Sequence, residues 1–294
     1  MRSSVIRDFT KCYRSKEEVK KFALIGHNIS YSLSPLIHGE IFRKMGLDAT
    51  YELISVEKQE LPLLAERLRR DYDGFNVTKP HKENIIPFLD GQPPKSVNTV
   101  RIENGKMFGF STDGYGFTKD LKICFGDIGK IGGDALILGA GGVARVIIGE
   151  LKNQGFEVYV WNRTRDKAEK LCEEFGVRFT RLQDIKPDLV VNCTSCGLRK
   201  GENPLVGADD DGTVRNLLDR HRVKWAYDTI YSPPQTDFLY CNRASKTANG
   251  LGMLILQAIE SDRIMCGFDI DEMLEREIYN ELMDKLTSKI ARNI

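Results

Sequence analysis

Apolar residues along the chain fall into short runs separated by amphipathic stretches, and that alternation predicts strands and helices in turn. Phe22–Ala23–Leu24–Ile25, ending at Gly26, reads as a buried strand and its turn. Pro35 opens a helical pattern, Leu36 to Met45, closed by Gly46, with Ser34–Pro35 read as an N-cap followed by proline at the first helical position. Tyr51 to Val56 alternates like a strand, and Leu61 to Arg70 is an amphipathic helix with Pro62 in its first turn. Gly74 to Thr78 is a further short strand. Val97–Arg101 and Lys106–Phe110 flank Asn104–Gly105, a strong hairpin-turn pair. A second alternation follows: strand Asp134–Leu138, helix Val143–Gln154, strand Glu157–Trp161, helix Arg165–Phe175, then strands at Leu189–Asn192 and Trp225–Asp228. Strands spaced by helices in this way imply parallel βαβ units. From Gly250 onward the pattern is helical.

The fold class expected is therefore α/β with two domains. An N-terminal α/β domain (1–113) is completed by C-terminal helices (250–294), and a Rossmann-like domain (114–249) is inserted between them. A chain of 294 residues matches two domains. Basic and acidic residues nearly cancel, 43 against 42, for a net charge of +1, so no electrostatic footprint for nucleic acid or an anionic membrane is present. No apolar stretch approaches the length that spans a bilayer. Met1 to Lys21 lacks the apolar core of a secretory signal, and Asp8, Glu17 and Glu18 argue against a transit peptide. It reads as a short helical extension, and a cytoplasmic location is expected. Oligomeric state, monomer or homodimer, stays open. The seven cysteines fit reduced thiols better than a disulfide framework. Cys193 and Cys196 form one C-x-x-C, but no second pair accompanies them at zinc-site spacing, so no metal is expected.

Gly139–Ala140–Gly141–Gly142–Val143–Ala144 fits G-x-G-x-x-A, directly after an apolar strand and at the start of a helix. Gly139 permits the tight turn, Gly141 lets backbone approach a pyrophosphate, and Ala144 allows close helix–strand packing. The helix then presents its N-terminal amides to the anion. At the tip of the next strand a site for NAD would carry an acid. This chain has Asn162–Arg163–Thr164–Arg165–Asp166–Lys167 instead. Arg163, with Thr164 and Lys167, suits a 2′-phosphate, so NADP(H) is the expected cofactor.

Five polar clusters sit past strands or at helix starts, where α/β folds hold ligands. They are Ser30–His38, Asn76–Lys82, Ser96–Thr99, Ser111–Gly116 and Asn249–Ala258. Taken together, S-x-S-x-S-P-x-x-H, N-V-T-x-P-x-K, V-N-T, T-D-G-x-G, G-A-G-G-x-A, N-R-T, N-x-T-S-x-G and G-x-G-M-L-x-x-Q-A resemble the shikimate dehydrogenases, in order, from about Phe22 to Gly267. The resemblance implies that Ser32 and Ser34, assisted by Tyr231, bind a substrate carboxylate. It implies that Thr78, Asn98 and Gln257 bind ring hydroxyls, and that Lys82 and Asp113 are the catalytic pair. Asn162, Arg163, Thr164 and Lys167 match the 2′-phosphate site, and Thr194, Ser195 and Gly250 lie beside the cofactor. Gly39, Ser111, Cys193, Cys196 and Asn249 depart from the family's usual residues without removing a catalytic group.

The activity implied is reversible, NADP-dependent reduction of 3-dehydroshikimate to shikimate in aromatic amino-acid (chorismate) biosynthesis. Lys82 would donate the proton to the ring ketone, and Asp113 would orient the ammonium. A quinate/shikimate dehydrogenase of broader use is the alternative, and activity with quinate and NAD⁺ would mark it. A non-catalytic NADP-binding regulator would have no need of Lys82 and Asp113, and a redox or zinc module on Cys193 and Cys196 would hold metal when purified. Each residue also has a plain structural reading: Lys82 as a surface lysine, Asp113 and Asn98 as turn residues, Gln257 as a polar spot on a helix, His38 as a hydrogen-bonded scaffold residue.

Overall fold

Strands β1 (Lys20–Gly26), β2 (Ala49–Ser55), β3 (Gly74–Val77), β4 (Thr99–Glu103) and β5 (Lys106–Phe110) form one sheet in the order β2-β1-β3-β4-β5. A computed structural model describes residues 19–205, 223–241 and 244–292. The first three strands are parallel, and β4 and β5 close the sheet as an antiparallel hairpin. At the hairpin tip Asn104 and Gly105 both take positive φ, 52° and 71°, the geometry a two-residue turn needs to match strand twist.

Side chains alternate across this sheet as strand geometry requires. Ala23 and Ile25 of β1 pack with Leu64 and Leu68 of α2 (Leu61–Asp71) on one face. Phe22 faces the other way, onto Phe42 of α1 (Ser34–Met45) and Met265. There, Ile37 and Ile41 of α1 meet Ile255 and Ile259 of the helix Leu251–Cys266 and Leu282 of the last helix, Glu272–Arg292. Each fully buried aliphatic side chain of this kind contributes about 1.5–3 kcal/mol relative to exposure.

The second sheet contains β6 (Gly133–Leu138), β7 (Phe156–Trp161), β8 (Arg178–Phe179), β9 (Leu189–Asn192), β10 (Trp225–Asp228) and β11 (Lys246–Asn249). All pairings are parallel, and the order is β11-β10-β9-β6-β7-β8. Counted from β6 this is the 3-2-1-4-5-6 arrangement of dinucleotide-binding sheets, with its topological switch point between β6 and β9. Helix α3 (Asp113–Phe125) links the two sheets. Its Phe117 and Leu121 join the core of Ala135, Ile137 and Ile147, while Gly116 lies against the helix Leu251–Cys266. A Cβ at Gly116 would stand 2.6 Å from the Met253 carbonyl, so glycine there sets how closely these helices approach.

Several local expectations need correction. Ser34 is the first helical residue, not the N-cap; Leu33 occupies that place and no side chain caps the helix. The reason is local: the Ser34 amide donates to Ser32 Oγ at 3.2 Å, and the two hydroxyls pair with each other. Strand β4 begins at Thr99, two residues later than expected, and α4 (Gly142–Asn153) begins one residue earlier. Strands β8 and β11 and the short helix Asp237–Cys241 were not anticipated. The helical extension expected for Met1–Lys21 lies outside the described residues except at its end, where Lys20 and Lys21 are strand. Among the described residues, no helix is long and apolar enough to cross a membrane.

Candidate active site

Between the C-terminal ends of the two sheets lies a cavity of about 270 Å³. Ser32, Ser34, Thr78, Lys82, Asn98, Asp113, Tyr231 and Gln257, which come from separate stretches of sequence, all line it. The loop after β1 carries Ser32, and the first turn of α1 carries Ser34. Thr78 and Lys82 follow β3, where the Lys82 carbonyl accepts the Val97 amide at 2.9 Å and so fixes the turn against the strand leading to β4. Asp113 opens α3, a position the helix dipole favours for a carboxylate.

Lys82 and Asp113 meet directly. Lys82 Nζ donates to Asp113 Oδ2 at 2.5 Å, and the side chains are 22% and 9% exposed, so the pair reaches the cavity without being flooded by solvent. Asp113 Oδ1 lies 3.0 Å from the Asn98 amide nitrogen, which is also 2.8 Å from Thr112 Oγ1 and 3.1 Å from Gln257 Oε1. Asn98 Oδ1 in turn accepts the Thr112 amide at 2.8 Å. The carboxylate is therefore held from two sides, by the Asn98 amide and by the ammonium that pairs with it. Tyr231 is half-buried, and burial pushes its ionisation up, which keeps its hydroxyl a hydrogen-bond donor.

The plain structural readings of these groups separate here. Lys82 is half-buried and ion-paired, and Gln257 is half-buried with Nε2 on the Leu254 carbonyl at 2.8 Å. His38 is 1% exposed, with Nδ1 2.8 Å from Asp262 Oδ1 and its ring stacked on Tyr51. Asn76, which opens the cluster Asn76–Lys82 and carries no role in the family resemblance, also lines the cavity. Its amide donates to the Asn98 carbonyl and Ser261 Oγ, and its Oδ1 accepts from Tyr51 Oη. A polar residue between Phe75 and Val77 in a fully buried strand is the signal that marks it.

The second group of predicted residues lies along the C-terminal edge of the other sheet. Gly139, Ala140, Gly141, Gly142, Val143 and Ala144 follow β6; Asn162, Arg163, Thr164 and Lys167 follow β7; Thr194 and Ser195 follow β9. Of the residues singled out for cofactor binding, only Val143 and Gly250 line the cavity itself. Gly139 has φ +111°, and a Cβ there would press on Thr194 Cγ2 at 3.0 Å. Gly250 is required by the protein too, since its Cβ would stand 2.4 Å from the Thr229 carbonyl. Gly141 and Gly142 differ: a Cβ at either would meet nothing within 4 Å. The open space there adjoins the N-terminus of α4, where Gly141 is the N-cap and no side chain caps the amides. Ala144 is fully buried in the core beneath. Arg163 and Lys167 are exposed, and neither has a carboxylate in ion-pair range among the described residues. Asn162 Nδ2 holds the Thr164 carbonyl at 2.8 Å, shaping the turn. A backbone cradle, free cations beyond it and a switch-point location fit a phosphorylated dinucleotide.

Cys193 and Cys196 do not have the environment of reactive thiols. Burial pushes both up, Cys193 far beyond its ordinary value. Among the described residues, no group of three or more His, Cys, Asp or Glu is arranged to hold a metal ion.

Comparison with known proteins gives one consistent result. Residues 24–100 match the model of the shikimate dehydrogenase substrate binding domain, and residues 128–198 match that of shikimate / quinate 5-dehydrogenase. A shikimate dehydrogenase (NADP(+)) of Caldicellulosiruptor saccharolyticus is 35% identical over 92% of this chain and 100% of its own length. One of Clostridium perfringens is 33% identical over 90% of this chain and 98% of its own. The crystal structure of shikimate 5-dehydrogenase from Thermus thermophilus in complex with NADP(H) and shikimate superposes with a TM-score of 0.78 at 34% identity, covering 90% of this chain and all of that one.

Proposed function

The chain belongs to the shikimate dehydrogenase family, and from this premise we propose that it reversibly reduces 3-dehydroshikimate to shikimate with NADPH, a step of aromatic amino-acid (chorismate) biosynthesis. The observation that carries the reading is the convergence of eight separated polar residues on one cavity, with the Lys82–Asp113 pair in its wall. In this reading the cofactor supplies hydride chemistry, and the chain's own residues bind, orient and handle the proton. Residues 1–113 and 250–294 form the substrate domain, and residues 114–249 the NADP-binding domain.

The Ser32 and Ser34 hydroxyls and Tyr231 Oη take the substrate carboxylate. Thr78, Asn98 and Gln257 take ring hydroxyls. Lys82 Nζ offers a proton to the ketone oxygen as negative charge develops there, and recovers it in the reverse direction. Asp113 steers the ammonium and balances its charge. A general acid in this position contributes about 10²–10⁴ in rate. Gly139, Gly141 and the amides opening α4 accept the pyrophosphate, with Ala140, Gly142, Val143 and Ala144 shaping the turn. Arg163, Thr164 and Lys167, on a turn shaped by Asn162, accept the 2′-phosphate, and Thr194, Ser195 and Gly250 flank the nicotinamide end.

The test is oxidation of shikimate or quinate with NADP⁺ or NAD⁺, followed by reduced-nicotinamide absorbance. Shikimate with NADP⁺ is expected to give the highest kcat/KM. Comparable turnover of quinate with NAD⁺ would instead favour a broader quinate/shikimate enzyme, and no turnover of either acid would defeat the proposal.

A further inference from the structure

The mechanism above leaves one buried titratable couple unused, His38 with Asp262. His38 stands one helical turn after Ser34 on α1, so both side chains project from the same face. Asp262 comes from the helix Leu251–Cys266, far away in sequence, and is fully buried. The two meet through Nδ1 and Oδ1 at 2.8 Å. Tyr51 stacks flat on the imidazole, ring centroids 4.3 Å apart, and fixes its plane. His38 also lines the substrate cavity beside Ser32 and Ser34. Among the described residues its second ring nitrogen, Nε2, has no hydrogen-bond partner, and it is not among the polar atoms sealed from solvent.

Burial decides where the protons sit. Asp262 Oδ2 is buried with no partner, and burial pushes this carboxyl up, against standing as a lone anion. A neutral imidazole donating from Nδ1 would leave that lone anion in place, with a bare Nε2. Of the three arrangements without net charge, one puts the second proton on Asp262 Oδ2, where a buried hydroxyl finds no acceptor; the other two put a proton between Oδ1 and Nδ1 and a second one on Nε2. In the first of these two, a protonated Asp262 donates to Nδ1; in the second, an imidazolium donates to the carboxylate. Either way the ring offers an N–H to the cavity, and moving the shared proton toward Nδ1 strengthens that donor when an anion approaches.

We propose that His38, locked by Asp262 and Tyr51, is a substrate-binding residue whose Nε2–H donates to the carboxylate held by Ser32 and Ser34. This rests on the proposed substrate orientation and extends it: the carboxylate subsite contains a ring donor that can become cationic, as well as hydroxyls. A substrate bearing an uncharged group in that position gains less from it. Asp262 acts through His38 and is a positioning residue.

Two measurements test the assignment in the full-length enzyme. In ¹⁵N-detected spectra of the free protein, His38 should carry its proton on Nε2, and saturating shikimate should move the ring resonances toward those of an imidazolium. A bare Nε2, or resonances unmoved by shikimate, would overturn the proposal. The double variant His38→Phe, Asp262→Leu replaces both partners with apolar groups and avoids stranding either one. It should raise KM for shikimate about tenfold or more while kcat and KM for NADP⁺ stay within about twofold. Equal KM values for variant and parent would overturn it, as would a loss confined to kcat. If the parent enzyme fails to oxidise shikimate, the substrate reading is wrong whatever the spectra of the free protein show, so the two failures are distinguishable.

Discussion

The substrate cavity and the cofactor edge are built on opposite principles. Around the cavity, side chains do the work and are already bonded to one another: Lys82 to Asp113, Asp113 to Asn98, Asn76 to Ser261. Along the edge of the second sheet the backbone does it, and the important side chains are absent or idle, as with Gly141, Gly142, Arg163 and Lys167. The first region is pre-organised before any ligand arrives, which suits catalysis of a proton transfer. The second leaves amides without a side-chain cap and cations with no carboxylate partner among the described residues, for a large anion to satisfy.

That contrast can be broken most severely at Lys82. Lys82→Ala should lower kcat by about 10²–10⁴ with little change in NADP⁺ affinity; turnover near the parent rate would remove the lysine from the proton transfer. Glycine substitutions then compare the regions directly. Gly116→Val drives a side chain into the Met253 carbonyl and the Gln257 backbone, and should cost about 1–3 kcal/mol of stability in urea unfolding. Arg163→Ala should weaken NADP⁺ by about tenfold or more relative to NAD⁺, measured as the ratio of the two KM values, and equal weakening would contradict the phosphate role. Gly141→Ala, by contrast with Gly116, meets nothing in the protein at a φ of −95°, so its melting temperature should match the parent while NADP⁺ affinity falls. A drop in melting temperature would show that the glycine serves the fold.

The smallest effect expected is a pH dependence from Asp120. This carboxyl is buried among Tyr227, Tyr279 and Cys124, and burial raises it above its ordinary value despite their hydrogen bonds. The folded chain therefore holds a proton that the unfolded chain has released, and stability falls as pH rises from the ordinary carboxyl value through the raised one. Asp120→Asn should flatten that slope in urea midpoints measured across pH; an unchanged slope would assign it elsewhere.

The cofactor edge was the more legible region because its signal is local. A strand, two glycines and a helix are contiguous, and the fold reproduces them within a residue. The cavity was legible only through the order of many motifs, since no periodicity relates Lys82 to Asp113 or Asn98 to Gln257. His38 and Asp262 show the limit most clearly: the aspartate is buried on a helix whose neighbours Ile259 and Met265 are apolar, and only the return of that helix onto α1 gives it a partner. Strands β8 and β11 escaped because one is two residues long and the other, Lys-Thr-Ala-Asn, lies at the sheet edge with no apolar alternation. Ser34 was misread as a cap because the helix opens one residue earlier, where the Leu33 carbonyl accepts the Leu36 and Ile37 amides.

The C-terminal return of the chain has a consequence for biosynthesis. Ile37 and Ile41 pack in one core with the helices beginning at Leu251, and Gln257 and Asp262 sit on the first of them. As the polypeptide leaves the ribosome, the nucleotide-binding half has its strands before the amino-terminal half has its lid. A nascent chain halted near residue 250 would therefore carry a nearly finished dinucleotide fold next to an apolar helix face without its cover, and a substrate cavity lacking Gln257.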